Sequence, residues 1–280
     1  MDKLFNGTKK KGIPIYSISS KFHKSQFYFK RYGKWFLNKL KQIDYFFVQD
    51  DTSKELLSYN NINNVTVTGD TRIDRVKEIA KEDKQFNSIE MFINNDICFI
   101  AGSSWETDYT IFLKSIVERT NLKTIIAPHN IVDSEIRNLE KMTKSLSIRY
   151  SRIDRDLDPS KKILIIDSVG SLKHLYKFAD IAYVGGGMGN LGLHNILEAA
   201  VFGIPIIIGK NFKGFSEAEQ LVKLGGVKSI DSQVEFEEIF NSLISNKTTK
   251  EAMGKINKEY IYSNSGGSEK IIKALKKSLV

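Results

Sequence analysis

The stretch that decides the fold is residues 181–200, which read IAYVGGGMGNLGLHNILEAA. Its first four residues form a short apolar run with the length of a buried strand. Glycines follow directly, and a helical pattern begins near His194 or Asn195. Glycines let a backbone approach a ligand closely and adopt positive φ. The stretch therefore predicts a strand, a glycine-rich loop and a helix in immediate succession.

The same alternation of short apolar runs and helical patterns continues on both sides of this stretch. It predicts an α/β fold whose parallel sheets are joined by helical crossovers. Ligands of such sheets bind beyond the carboxyl ends of the strands, so the loops that follow strands are the informative ones. The predicted strands are residues 13–19, 44–48, 65–68, 96–101, 123–127, 147–150, 163–166, 181–184, 204–208 and 227–230.

The composition is that of a globular chain with unevenly placed charge. The 280 residues are 41% hydrophobic and carry a formal net charge of +9. Residues 1–41 hold eleven Lys or Arg and one acidic residue, so the rest of the chain is nearly neutral. The single Cys98 excludes an intramolecular disulfide and favours a reducing, cytoplasmic setting. No apolar run approaches the roughly 20 residues of a spanning helix, so no transmembrane segment is expected.

The glycine-rich loop carries the strongest candidate site. The free N–H groups of a helix start beside Gly185, Gly186 and Gly187 could face a phosphate. Glu198 lies one helical turn beyond His194 and Asn195, where its carboxylate could accept from two ribose hydroxyls. The alternative is a structural turn with a capping Asn. The spacing of His, Asn and Glu favours a nucleotide site, although neither the dinucleotide fingerprint nor a Walker A motif is present.

Two further strand-end loops hold candidate ligand donors. Ser103 and Ser104 follow one predicted strand and could donate to an anion. Alternatively, a Ser caps the next helix and Glu106 completes a capping box. His129 occupies the equivalent place after the next strand. The alternative is an ordinary surface histidine.

The loop after residue 166 contributes Asp167, Ser168 and Gly170. Its backbone could meet the edge of a base, or Asp167 could simply cap a helix. His, Cys and carboxylate residues are nowhere spaced as metal ligands, so neither a metal nor another cofactor is expected.

Residues 22–40 interleave seven aromatic residues with five Lys or Arg. A domain helix with buried aromatics and solvated lysines would explain this pattern. A contact with an anionic membrane surface explains it equally well. Nucleic-acid binding is disfavoured because no reader motif is present. The candidate acceptor or membrane residues are Lys24, Lys30, Arg31, Lys34 and Trp35.

Taken together, these loops resemble the Kdo (3-deoxy-D-manno-octulosonic acid) transferases of lipopolysaccharide assembly, in the form seen in Bacteroidetes-like bacteria. The resemblance covers nearly the whole chain in order, and its glycine-rich stretch is the most specific part. The matching segments are residues 11–19, 29–33, 47–50, 67–74, 101–105, 127–129, 180–187, 194–200 and 215–218.

The resemblance implies a GT-B fold with Rossmann-like domains and an inverting glycosyltransferase activity. Such enzymes move Kdo from CMP-Kdo to a lipid A precursor at the cytoplasmic face of the inner membrane, where this chain would be peripheral. The resemblance places Gly185 to Gly187 beside the phosphate, residues 167–170 near the cytosine, and the other strand-end candidates around the donor. Two alternatives remain: a non-catalytic nucleotide-binding remnant, and a GT-B transferase that uses another nucleotide sugar.

The resemblance also implies a domain division. Residues 1–75 are expected to be the remnant of a truncated acceptor-side domain, 76–90 a linker, and 91–256 a complete donor domain. Residues 257–280 are expected to form a helix that packs back on the N-terminal part. Family members have a longer N-terminal part, which includes the glutamate expected to act as general base. The catalytic residue is therefore expected to be absent from this chain.

Overall fold

The computed structural model describes residues 11–278. Lys3, Lys9 and Lys10 of the basic N-terminal segment lie outside the described residues, as do the outer ends of predicted domains 1–75 and 257–280. The chain forms two compact units. One comprises Met1–Arg75 with Asn264–Val280, and the other comprises Val76–Ser263.

The first unit contains a three-stranded parallel sheet in the order β1-β2-β3. Its core forms where β2 packs against helix α2, around Phe46, Val48 and Leu57. The elements are β1 (Tyr16–Ser20), α1 (Lys34–Leu40), β2 (Tyr45–Val48), α2 (Asp51–Tyr59), β3 (Val65–Val67) and the start of α3 (Thr71–Lys81).

The helical pattern across residues 24–40 is only partly realised. Two 3₁₀ turns, Phe27–Phe29 and Arg31–Gly33, precede α1. The chain doubles back at Gly33, where an added Cβ would collide with the carbonyl of Phe27. The ring of Phe22 packs edge-on against Tyr28 of the first turn.

The second unit contains a seven-stranded, fully parallel sheet in the order β10-β9-β8-β4-β5-β7-β6. The predicted α/β class with parallel sheets is confirmed. The strands are β4 (Ile97–Ser104), β5 (Leu122–Pro128), β6 (Ser147–Arg149), β7 (Ile163–Ile165), β8 (Ile181–Val184), β9 (Ile206–Gly209) and β10 (Val227–Ile230). The helices are α4 (Asn87–Ile93), α5 (Glu106–Val117), α6 (Asp133–Met142), α7 (Ile153–Asp156), α8 (Leu172–Leu175), α9 (Leu197–Ala200), α10 (Ser216–Leu224), α11 (Gln233–Ser245) and α12 (Lys247–Ser263).

The order of these strands places a switch point at β4. The chain first moves from β4 to β5 on one side, and later returns to place β8 on the other side. Both faces of these central strands are buried, and Phe99 of β4 packs against Phe112 and Phe240. In open parallel sheets the crevice for a ligand lies where the strand order reverses. The loops after β4, β5 and β8 therefore lie at the expected position for a site.

Residues 76–90 contain the end of α3, which continues to Lys81, and the first residues of α4, which begins at Asn87. The predicted helix at 257–280 is split, since α12 ends at Ser263 and α13 (Gly267–Ser278) follows. Gly266 has a φ of +98° and ends the helical run. The Asp74 carboxylate accepts from the N–H groups of Gly266 and Ser268, which fixes the start of α13 within the first unit.

Candidate functional site

The glycine-rich loop after β8 is clamped between two neighbouring strands. A Cβ on Gly185 would meet the backbone of Ser103 and Ser104, and one on Gly187 would lie 2.9 Å from the backbone nitrogen of Gly209. Gly186 has a φ of +91°. These glycines are buried, and their lack of a side chain lets the backbone of the neighbouring strands pack closely against them. The loop is therefore packed tightly against the strands on both sides of it.

The loop is also held from β9. The backbone N–H of Asn211 donates to the Gly187 carbonyl (2.8 Å), and its side-chain amide donates to the Gly189 carbonyl (2.9 Å). Asn211 was not among the sequence candidates. Its only local signal is its position two residues beyond the end of a strand.

Three aromatic rings from three different loops form one cluster. The ring centroid of His129 lies 4.3 Å from that of Trp105 and 4.4 Å from that of His194, and both pairs are stacked. The Trp105 indole N–H donates to Nε2 of His194 (3.1 Å). Burial lowers the pKa of His194, and nearby His129 lowers it further. Each histidine is a separate candidate in the sequence, and the structure brings the two together.

Asn195 orients Glu198 at the end of the same loop. The helix expected to start at His194 or Asn195 begins only at Leu197. The Asn195 side chain accepts from the Leu197 N–H and donates to Oε1 of Glu198, both at 3.2 Å. The cap and the Glu198 contact thus coexist. Burial, and then the Glu198 charge, raise the pKa of the buried Tyr176 phenol, so Tyr176 stays neutral beside the carboxylate.

The segment that contains Ser103 and Ser104 belongs to β4 and not to a loop. The β4–β5 register shifts between Gly102 and Ser104, and Ser103 has a φ of +49°. Ser104 is buried, and its carbonyl accepts the backbone N–H of His129 (2.9 Å). Ser104 therefore holds the His129 loop in place, which leaves half-buried Ser103 as the more accessible of the two hydroxyls.

The helix cap predicted at this point is wrong in its residues. The carboxylate that accepts from the N–H before α5 belongs to Asp108 (2.8 Å to Trp105 N), and not to Glu106. Asp108 is fully buried, and it also accepts from the Tyr183 hydroxyl (2.7 Å) and the Gly186 N–H (3.2 Å). It connects the β4 loop to the glycine-rich loop. An acidic residue three positions after a cap was the available signal, whereas its two distant donors were not predictable locally.

The three candidate residues of the loop after β7 differ in how far they are already engaged by the protein. The Asp167 carboxylate accepts from both the N–H (2.9 Å) and the hydroxyl (2.6 Å) of Ser151, so it is already engaged. Gly170 is exposed with a φ of +90°. The Ser168 hydroxyl is buried without a hydrogen-bond partner in residues 11–278. Within that part of the chain, no hydrogen bond or ring contact links this loop to the Trp105–His129–His194 cluster.

The candidate acceptor or membrane residues all lie on the surface of the first unit. Lys24, Lys30, Arg31 and Lys34 are exposed, and the described chain records no ion pair for them. Trp35 is 59% exposed. Among residues 11–278, no helix combines the length and the apolar character needed to cross a bilayer.

The fold and the position of the site first define the class of protein. It is an α/β protein with Rossmann-like parallel sheets of the GT-B type. The chain is similar to the C-terminal CMP-Kdo binding domain of WaaA from Acinetobacter baumannii (TM-score 0.53, 17% identity), over 68% of this chain and 97% of that one. It is also similar to S. aureus MnaA in a structure with UDP (TM-score 0.66, 16% identity), over 98% and 72% respectively. At these identities the likeness is one of fold.

Sequence comparison then points to a particular family. Residues 2–75 match the family described as 3-deoxy-D-manno-octulosonic-acid transferase (kdotransferase). The 3-deoxy-D-manno-octulosonic acid transferase of Haemophilus influenzae is 28% identical over 212 residues, which are 73% of this chain and 47% of that protein. The predicted resemblance to the Kdo transferases is confirmed. The chain spans about half the length of the first curated relatives that it matches.

Proposed function

We propose that this chain binds CMP-Kdo and acts in the transfer of Kdo to a lipid A precursor at the cytoplasmic face of the inner membrane. One observation carries the proposal. The loops after β4, β5 and β8 bring Trp105, His129 and His194 into a single ring cluster beside the glycine-rich loop. The resemblance of residues 2–75 to the Kdo transferases and the likeness to a CMP-Kdo binding domain support this choice of donor.

The donor contacts are proposed to fall into a phosphate end and a ribose end. The His194 imidazole, at the edge of the glycine-rich loop, suits an anionic phosphate, whereas the N–H groups of Gly185 and Gly186 already donate to Gly102 and Asp108. The Glu198 carboxylate, oriented by Asn195, suits the two hydroxyls of a ribose. Ser103 and His129 extend the phosphate end, and residues 167–170 are proposed to meet the cytosine. No metal ion is proposed to take part.

Isothermal titration with CMP tests the donor site. We expect CMP to bind the unaltered chain. Both His194→Ala and Glu198→Gln should weaken binding by about 10- to 100-fold, because each removes a hydrogen bond that involves a charged partner. Glu238→Gln is the matched control, since Glu238 is exposed on α11 of the same unit.

The alternatives give different titration results. Binding of UMP in preference to CMP would indicate a GT-B transferase with another nucleotide sugar. Failure of every nucleotide to bind, or equal affinity in the two site variants and the control, would contradict the proposed donor site.

On the acceptor side, the exposed basic residues of the first unit are proposed to contact an anionic lipid surface. Lys24, Lys30 and Lys34 are exposed, and Trp35 in the same segment is 59% exposed. Basic side chains near an anionic membrane contribute roughly 1 kcal/mol each, and an exposed indole suits the interfacial region. Such a surface fits a phosphorylated acceptor lipid.

Vesicle sedimentation tests this surface. We expect the chain to bind vesicles that contain anionic lipid and to bind neutral vesicles weakly. Replacing Lys24, Lys30 and Lys34 by Gln should reduce the binding constant by about 100-fold, which corresponds to roughly 1 kcal/mol for each charge. The control replaces Lys141, Lys223 and Lys228, which are exposed in the second unit, so that the net charge is the same. Equal losses in both triple variants would contradict a local surface.

Transfer with inversion requires a base within reach of the attacking hydroxyl, and we assign that role to no residue of this chain. An assay of Kdo transfer from CMP-Kdo to a lipid A precursor therefore complements the titration. Donor binding without transfer would identify a non-catalytic nucleotide-binding protein.

A further inference from the structure

In the hydrogen bond between Trp105 and His194, the donor and the acceptor can be assigned. An indole N–H can only donate, so the nitrogen that receives it must be unprotonated. That nitrogen is Nε2 of His194, at 3.1 Å. The planes of the two rings are nearly parallel, with an interplanar angle of 17°. A neutral imidazole that accepts at Nε2 carries its proton on Nδ1.

The opposite edge of the His194 ring remains available to a ligand. Its Cδ2 atom packs over Gly186, where an added Cβ would lie 3.0 Å away. Nδ1 is on the far side of the ring from Cδ2. Among the described residues no hydrogen-bond partner of Nδ1 is recorded, and Nδ1 is not one of the buried unpartnered atoms. The Nδ1–H group is therefore a donor with no acceptor among residues 11–278.

We propose that Trp105 is a positioning residue, which fixes His194 as the tautomer protonated on Nδ1 and so presents a single N–H donor to the ligand. His129 stacks on both rings of this pair and limits rotation of either one. The tautomer follows from the geometry alone. Its use toward an anionic nucleotide rests on the proposed function.

The surroundings of His194 reinforce the neutral state. Burial disfavours the imidazolium, as does any positive charge on His129, which reaches the cluster from the β5 loop. Asp108, from α5, favours the imidazolium but is engaged by three donors. Protonation at Nε2 would set two N–H groups against each other, so the Trp105 contact favours the imidazole that is unprotonated at Nε2.

Nuclear magnetic resonance of ¹⁵N-histidine-labelled, ligand-free protein tests the tautomer directly, with the His194→Gln spectrum assigning the signal. We expect the Nδ1–H tautomer in the unaltered chain. In Trp105→Phe, which keeps an aromatic ring but loses the donor, the tautomer preference should fall and the pKa of His194 should rise. The affinity for CMP near neutral pH should fall about five- to tenfold, the effect of one neutral hydrogen bond. Tyr59→Phe, which removes an exposed aromatic hydroxyl in the first unit and lies outside both proposed binding surfaces, should alter none of these quantities.

The possible results separate this inference from the proposed function. An Nε2–H tautomer in the unaltered chain, or an unchanged His194 titration in a folded Trp105→Phe variant, would overturn the positioning role even if CMP binds. An Nδ1–H tautomer that depends on Trp105 would support the positioning role even if CMP does not bind. In that case the proposed donor, and not the role of Trp105, would be wrong.

Discussion

Asp108→Asn is expected to lower the free energy of unfolding of this chain by about 3 kcal/mol. The buried carboxylate accepts from the Trp105 N–H, the Tyr183 hydroxyl and the Gly186 N–H. An amide in its place keeps one acceptor oxygen. Its NH2 group replaces the other oxygen and cannot accept from the donors that this oxygen served. Each buried donor left without an acceptor costs about 1–3 kcal/mol. Urea unfolding followed by circular dichroism measures the loss.

The control for this change is Asp156→Asn. Asp156 is exposed at the end of α7 in the same unit, so its replacement should change stability by less than about 0.5 kcal/mol. Because Asp108 also holds Trp105 and Gly186, its variant should lose affinity for CMP. Equal stability of the two variants would show that the three hydrogen bonds do not support the glycine-rich loop.

Gly187→Ala should be similarly damaging, for a steric reason. An added Cβ would lie 2.9 Å from both the nitrogen and the carbonyl oxygen of Gly209, and 3.0 Å from its Cα. All three are backbone atoms of β9, so relief requires the strands to separate. Overpacking of this kind typically costs 1–3 kcal/mol. We expect a loss near the upper end of that range, measured by urea unfolding.

Gly189→Ala provides a matched comparison two residues further along. A Cβ there would lie 3.6 Å from Oγ1 of Thr107, which is an ordinary van der Waals contact. We expect its stability to stay within about 1 kcal/mol of the unaltered chain, because no backbone atom must move. If the two alanine variants unfold at the same urea concentration, the close approach of Gly209 is not what requires glycine at position 187.

The elements that could be predicted are those whose signal is local. The strand predicted at residues 181–184 coincides with β8, because four consecutive apolar residues bounded by glycine suit a strand buried on both faces. The helical pattern at residues 24–40 is realised only from Lys34, and Phe22, which packs on the turns before it, also contacts Phe46 of β2, a tertiary contact that no local pattern shows. The helix after the glycine-rich loop likewise begins later than its pattern indicated, at Leu197, whose N–H donates to the Asn195 side chain.

The candidate site divides in the same way. His129, His194 and Glu198 were selected because they follow predicted strands, and that position depends on sequence alone. Asp108 and Asn211 were missed because their partners come from other strands. The Tyr183 hydroxyl that binds Asp108 is 75 residues away in sequence, a separation that no periodicity can relate.

The sequence by itself determined a parallel α/β fold, the loops that face the ligand edge and the resemblance to the Kdo transferases. Hydrophobic periodicity and strand-end position are local properties, so they can be read without the fold. Only the tertiary structure decided that Gly187 makes room for Gly209 and that Trp105 donates to His194 across 89 residues of chain. Both contacts exist because β8 lies between β4 and β9, and this strand order is a property of the whole sheet.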